Sequence, residues 1–214
     1  MTTKQERSEL FKLFQSGIQK SNSYEVGKEH LLHLRTELSA VYDYLFTNLQ
    51  DEDFRKMPIK SDKTIAYYLY HLIRIEDITS TLISGETQLF FIGKFDKSLN
   101  SPIITTGNEL ARDDLVTFSE KLNIQALEEY AHAVLNHTNA IIENIDFKTS
   151  KTKVSEERKA MVLDSQTVSD NENASWLVDY WCKKTYAGLF LMPFSRHHML
   201  HLNGCMRIFE KIHK

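Results

Sequence analysis

A chain of 214 residues can bury a full core as one domain, and 7 glycines with 3 prolines leave too few breakers for a many-turned β architecture. A formal charge of −3, with no run of three basic residues, argues against a nucleic-acid partner, whose phosphates call for clustered Lys and Arg. Cys182 and Cys205 fit no zinc-knuckle or redox spacing and Met1–Ser8 is no secretory signal, so the expectation is a soluble cytoplasmic protein without a membrane partner.

The first helical seam runs over about Gly27–Leu49, where Leu31, Leu34, Leu38, Val41 and Leu45 recur at alternating three and four. A second, from about Lys63 to Ser84, reads Thr64, Tyr68, His71, Ile75, Ile78, Leu82, with Ser61 or Asp62 placed as its cap. The connection 85–108 carries Phe90, Phe91, Ile92, Phe95, Ile103 and Ile104, which a solvated tether would not, so it is expected to be ordered. Thr106-Gly107-Asn108-Glu109 has capping-box spacing and predicts a short helix there.

A third main helix spans about Ile124–Ile145, with Leu127, Ala131, Val134, Thr138, Ile141 and Ile145 on one stripe. Residues 146–173 turn polar and read as the most mobile part of the chain, with 155–163 partly helical. The last segment begins near Ala174. Pro193 predicts a break or kink, and a fresh helix from about Phe194 to Ile212. Its apolar stretch, 186–194, is far short of the roughly 20 residues that span a bilayer. Four such seams without a strand pattern predict an all-α four-helix bundle, a single domain over 1–214.

The histidines separate by position. On the last helix Phe194, His201, Cys205, Ile208 and Ile212 share one stripe, with His197 and His198 on either flank of it. Imidazoles at i,i+4 (His197, His201) can aim at one ion, and so can an i,i+3 pair (His198, His201), so spacing leaves the partner of His201 open. His71 lies in an apolar seam, where an unpaired ring nitrogen costs about 1–3 kcal/mol. A divalent metal satisfies one nitrogen on each of three core-facing rings, and three protein ligands leave coordination open, as in catalytic zinc. Imidazole donors favour zinc or nickel. His30, His33, His132, His137 and His213 read as surface or packing residues.

Three stretches carry a family resemblance. Thr64-Ile65-Ala66 through His71, Arg74, Glu76 and Asp77 is similar to an "s/t-I-A-x-x-x-x-H-x-x-R-x-E-D" helix. The run from Pro102 to Glu109 is similar to "P-I-x-x-T-G-N-E", and Arg196-His197 with His201 to "R-H-x-x-x-H-x-G-Q". Spread over about residues 27–212, they resemble the DinB/YfiT-like family of four-helix-bundle metalloproteins. Here Asn203-Gly204-Cys205 stands where that family has G-Q, so the glycine is displaced by one position.

The resemblance implies a metal site of His71, His197 and His201, selecting His197 over His198, an open metal face, and often a homodimer. Characterised relatives in that family include thiol-cofactor-dependent transferases. The leading expectation is therefore metal-dependent S-transferase chemistry on a small-molecule substrate with a low-molecular-weight thiol, Arg74 and Glu76 being candidates for a supporting or substrate contact. A metal-dependent hydrolase is a second reading, its general base drawn from a carboxylate in 146–173. The third is a non-catalytic metal-binding or interaction module, with Tyr67, Tyr70 and Trp181 on a dimer or partner surface. Cys205, one turn from His201, reads as a buried inert thiol.

Overall fold

The computed structural model describes residues 2–60 and 63–214. Apart from one isolated bridge between Lys153 and Thr185, the regular elements among them are all helical. The principal ones are α1 (Lys4–Gly17), α2 (Tyr24–Asn48), α3 (Ile65–Ser84), α4 (Ile124–Asn144), α5 (Glu156–Asp164), α6 (Trp176–Cys182), α7 (Tyr186–Leu191) and α8 (His197–Ile212). The fold is all-α, and no described helix is long and apolar enough to cross a membrane. No disulfide joins Cys182 and Cys205.

Local chemistry sets most helix starts. Side-chain oxygens of Thr64, Asn123, Ser155 and Thr185 accept amides in the first turns of α3, α4, α5 and α7. Ser61 and Asp62, the expected caps of α3, lie outside the described residues; Thr64 takes the role, accepting from the Tyr67 amide at 3.1 Å. α1 has no counterpart among the expected elements. A Thr3–Glu6 capping box starts it, and it lies so close to α2 that a Cβ on Gly17 would come within 2.5 Å of Gly27 Cα.

α2, α3, α4 and α8 are the longest described helices and pack in a ring: α2 on α4, α4 on α3, α3 on α8, α8 on α2. α3 is also covered from outside by α5 and the connection after Ser84, so Ile65–Ile83 is buried on every side. That corrects the reading of Tyr67, Tyr70 and Trp181 as an exposed partner surface: each is at most 2% exposed. A helix apolar or paired all round is interior, and a one-sided seam understates it.

The apolar core falls into two clusters, and the boundary sits at a similar level on each ring helix. One holds Leu34, Ile73, Leu135 and Leu202; the other holds Leu31, Ile75, Ile142 and Phe194. Between them Arg35 donates to both oxygens of Glu76 (2.7 and 3.2 Å), to the carbonyls of Phe194 (2.7 Å) and Leu135 (3.2 Å), and to Asn139. Burial alone would raise the Glu76 carboxyl, but Arg35 and His198 hold it down at about 2. A buried ionic layer of this kind fixes how four helices line up along one another.

Candidate metal centre

α3 presents a run of donors to the connection that follows it. Tyr70 hydroxyl reaches the carbonyls of Ile103 (2.8 Å) and Thr105 (3.1 Å), Arg74 that of Ile104 (2.6 Å), His71 that of Thr106 (2.9 Å), and Tyr67 that of Gly107 (3.0 Å). Five consecutive carbonyls therefore end on one helix. The short helix expected to open at Thr106 does not start there and forms later, over Asp114–Lys121. Gly107 turns the chain at φ +79°, and the Thr106 hydroxyl donates to Asn108 Oδ1 (2.8 Å) instead of accepting an amide.

This pinning decides the tautomer of His71. Its Nδ1 faces a carbonyl, which can only accept, so Nδ1 carries the proton and Nε2 keeps its lone pair. A ring held this way is oriented as metal-ligating histidines commonly are.

The other two rings arrive on α8. Where a break or kink and a fresh helix from about Phe194 are expected at Pro193, α7 ends at Leu191, α8 begins at His197, and Pro193 lies near the start of the wide π turn between them, Met192–Arg196. Its i→i−5 spacing gives the His197 amide the Met192 carbonyl, and the Ser195 hydroxyl donates to Phe190 O (2.6 Å). His197 and His201 then lie one turn apart, facing His71.

Candidate ligand nitrogens of His71, His197 and His201 all lie within 4.8 Å of one another. His197 Nε2 and His201 Nε2 are 3.1 Å apart. Two nitrogens bound to one tetrahedral zinc sit about 3.3 Å apart, so this spacing suits a shared ion with little movement. Burial pushes the His71 imidazole down to about 3 and His201 to about 4, neighbouring cations adding to both; burial beside His71 and His201 keeps His197 well below the ordinary value. All three rings are thus neutral at pH 7, the form that ligates. His197 Nδ1 is buried and has no hydrogen-bond partner among the described residues.

His198 is engaged elsewhere. Its Nε2 lies 2.7 Å from Glu76 Oε2, and its Nδ1 is 2.9 Å from the Tyr42 hydroxyl. Both nitrogens face the ionic layer, which leaves His197 as the ring that meets His201. Here the structure separates two residues that spacing alone could not.

Arg74 and Glu76 do not reach the site from its surroundings. Arg74 is fully buried against Asp77, Tyr130, Gln88 and the Phe90 ring, and it acts on the site by holding the Ile104 carbonyl. Glu76 belongs to the Arg35–His198 layer. Cys205 is buried in the core as expected. Of the remaining histidines, His132 and His137 pair at the surface with Asp43 and Glu86.

A cavity of about 380 Å³ opens on the three rings. Lys63 and Asn108 line one part of it, and Trp176, Leu177, Tyr180 and Trp181 form an apolar wall. Nothing in the spacing marked Lys63, Trp176 or Tyr180 for a site, because α6 comes to it from far along the chain. The polar segment before it is anchored: Ser155 caps α5, and Lys159 pairs with Asp179 of α6 at 2.7 Å.

Compared with known proteins, the chain matches no family model and no curated protein.

Proposed function

We propose that this protein is a metal-dependent enzyme whose His71, His197 and His201 hold one zinc or nickel ion, and that it performs S-transferase-like chemistry with a low-molecular-weight thiol. The observation that carries the reading is the convergence of three neutral imidazoles, two of them 3.1 Å apart, in the lining of a cavity large enough for a small molecule. The architecture and the motifs of α3 and α8 support a four-helix bundle of the DinB/YfiT type. A bound ion would lower the pKa of a thiol brought to it and keep that thiol nucleophilic at neutral pH.

The chain's own residues prepare the site for this. Thr106 fixes His71 by accepting from Nδ1, and the ionic layer of Arg35, Glu76 and His198 fixes the register of α8. Trp176, Leu177 and Trp181 give one part of the cavity an apolar lining. Hydrolysis is the weaker reading, since no carboxylate of the described residues lines the cavity to activate water.

Metal analysis of purified wild type beside His71→Ala tests the centre. The expected result is stoichiometric zinc or nickel in the wild type and none above background in the variant. A folded wild type that stays metal-free in metal-replete medium would refute it. Zinc-dependent conjugation of bacillithiol, mycothiol, glutathione or coenzyme A to an electrophile tests the reaction, and failure with all four leaves a non-catalytic metal-binding module.

A further inference from the structure

The cavity beside the three histidines is chemically two-sided. With the histidines neutral, Lys63 is the only charged residue among the described residues lining it; Asn108 adds an amide, and Trp176, Leu177 and Trp181 add apolar surface. Lys63 folds over the Tyr67 ring, 4.2 Å from its centroid, and donates to the Tyr67 hydroxyl at 3.0 Å. An ammonium has three N–H donors, and among the described residues the Tyr67 hydroxyl takes one of them. Among the described residues no carboxylate pairs with it. It lines the same cavity as His71 and His201.

A half-buried cation that lines a cavity and meets no carboxylate among the described residues gains from an anion bound there. The aromatic lining adds the complementary demand. Trp176 is 52% exposed and Tyr180 36%, and their rings meet edge to face at 5.7 Å. Exposed aromatic surface beside a cavity is suited to the flat or apolar body of a small ligand.

We infer that the substrate is a small organic anion, its carboxylate held by Lys63 and Asn108 and its apolar or aromatic body lying against Trp176 and Tyr180. This rests on the metal-site reading for its function, though not for its binding. Lys63 is a binding residue, and the aromatic pair sets which bodies fit. A polymeric substrate is not expected at a cavity of about 380 Å³.

The test uses 4-phenylbutyrate and its neutral isostere 4-phenylbutanamide, measured by calorimetry on zinc-loaded and metal-free full-length protein. Variants are Lys63→Met, Lys63→Arg and Trp176→Ala, with the zinc content of each read separately. Wild type should favour the acid over the amide by about tenfold, the worth of one charge-assisted hydrogen bond. Lys63→Met should lose most of that preference and Lys63→Arg keep it. Trp176→Ala should weaken acid and amide alike and leave their ratio unchanged.

An acid preference that persists in Lys63→Met with zinc bound means the carboxylate sits on the metal, and it overturns the inference. So does equal binding of acid and amide by wild type. A wild type that takes up no zinc refutes the metal reading alone; the metal-free arm then still decides for or against Lys63. Melting temperatures of the variants guard against simple misfolding.

Discussion

His197 and His198 are neighbours in sequence with opposite duties. His197 faces His71 and His201, while His198 closes the layer of Tyr42, Glu76 and Arg35. His197→Ala should therefore abolish zinc binding with little effect on folding. His198→Ala should keep stoichiometric zinc yet lose on the order of 3 kcal/mol of stability, since it strips a partner from a buried carboxylate. Chemical denaturation together with metal analysis reads both. Loss of zinc in His198→Ala at full stability would reverse the assignment. Spacing could not separate the pair, because what separates them lies on α2 and α3, more than 100 residues away in the chain. His71 and His201 were legible on their own, since each interrupts an apolar stripe.

At the scale of elements, the Tyr67–Tyr70–His71–Arg74 run ties α3 to residues 103–107. Tyr70→Phe removes the donor to two carbonyls at once. The expected cost is about 1–3 kcal/mol, with zinc affinity falling about tenfold because the Thr106 carbonyl that orients His71 loses its neighbours' support. Competition with a chromophoric chelator measures the second effect; an unchanged zinc affinity would make the loop a structural tie only. Legibility at this scale was uneven. The ring helices were visible from periodicity, their ends shifted by a few residues. The turn at Thr106 looked like a helix start because its capping pattern is right, and only the left-handed Gly107 defeats it. α1 has a short apolar patch, Leu10–Phe14, bounded by polar residues, and it packs on α2 through Phe14 and the Gly17–Gly27 contact.

For the whole molecule, burying three uncharged imidazoles makes stability depend on pH. Unfolded, each ring takes a proton below about 6.5; folded, His201 resists until about 4 and His71 until about 3. Between those values the unfolded state binds more protons, so stability falls as pH drops, by up to about 1.4 kcal/mol per pH unit for each ring. Glu76 acts lower down: its contribution is present above the unfolded value of 4.5 and is lost as pH falls towards 2. Metal-free wild type should accordingly lose melting temperature between pH 7 and 5, and His201→Leu should lose less. Equal slopes in calorimetry would remove histidine burial as the cause. The all-helical character was plain from composition. Not so the ionic layer that divides the core, because Arg35 and Glu76 each look like an ordinary charged residue on a helix.

The wide turn at Met192–Arg196 has an evolutionary consequence. A π turn holds one residue more than ordinary helix, and removing it would rotate one flank against the other by about 100°. α8 is locked by His198, so α7 and the part of the wall formed by Met192 and Pro193 would swing instead. One codon gained or lost there could retune what the cavity admits while the three histidines stay where they are. Related proteins are then expected to diverge by single-residue insertions just before α8, and to keep its histidine spacing.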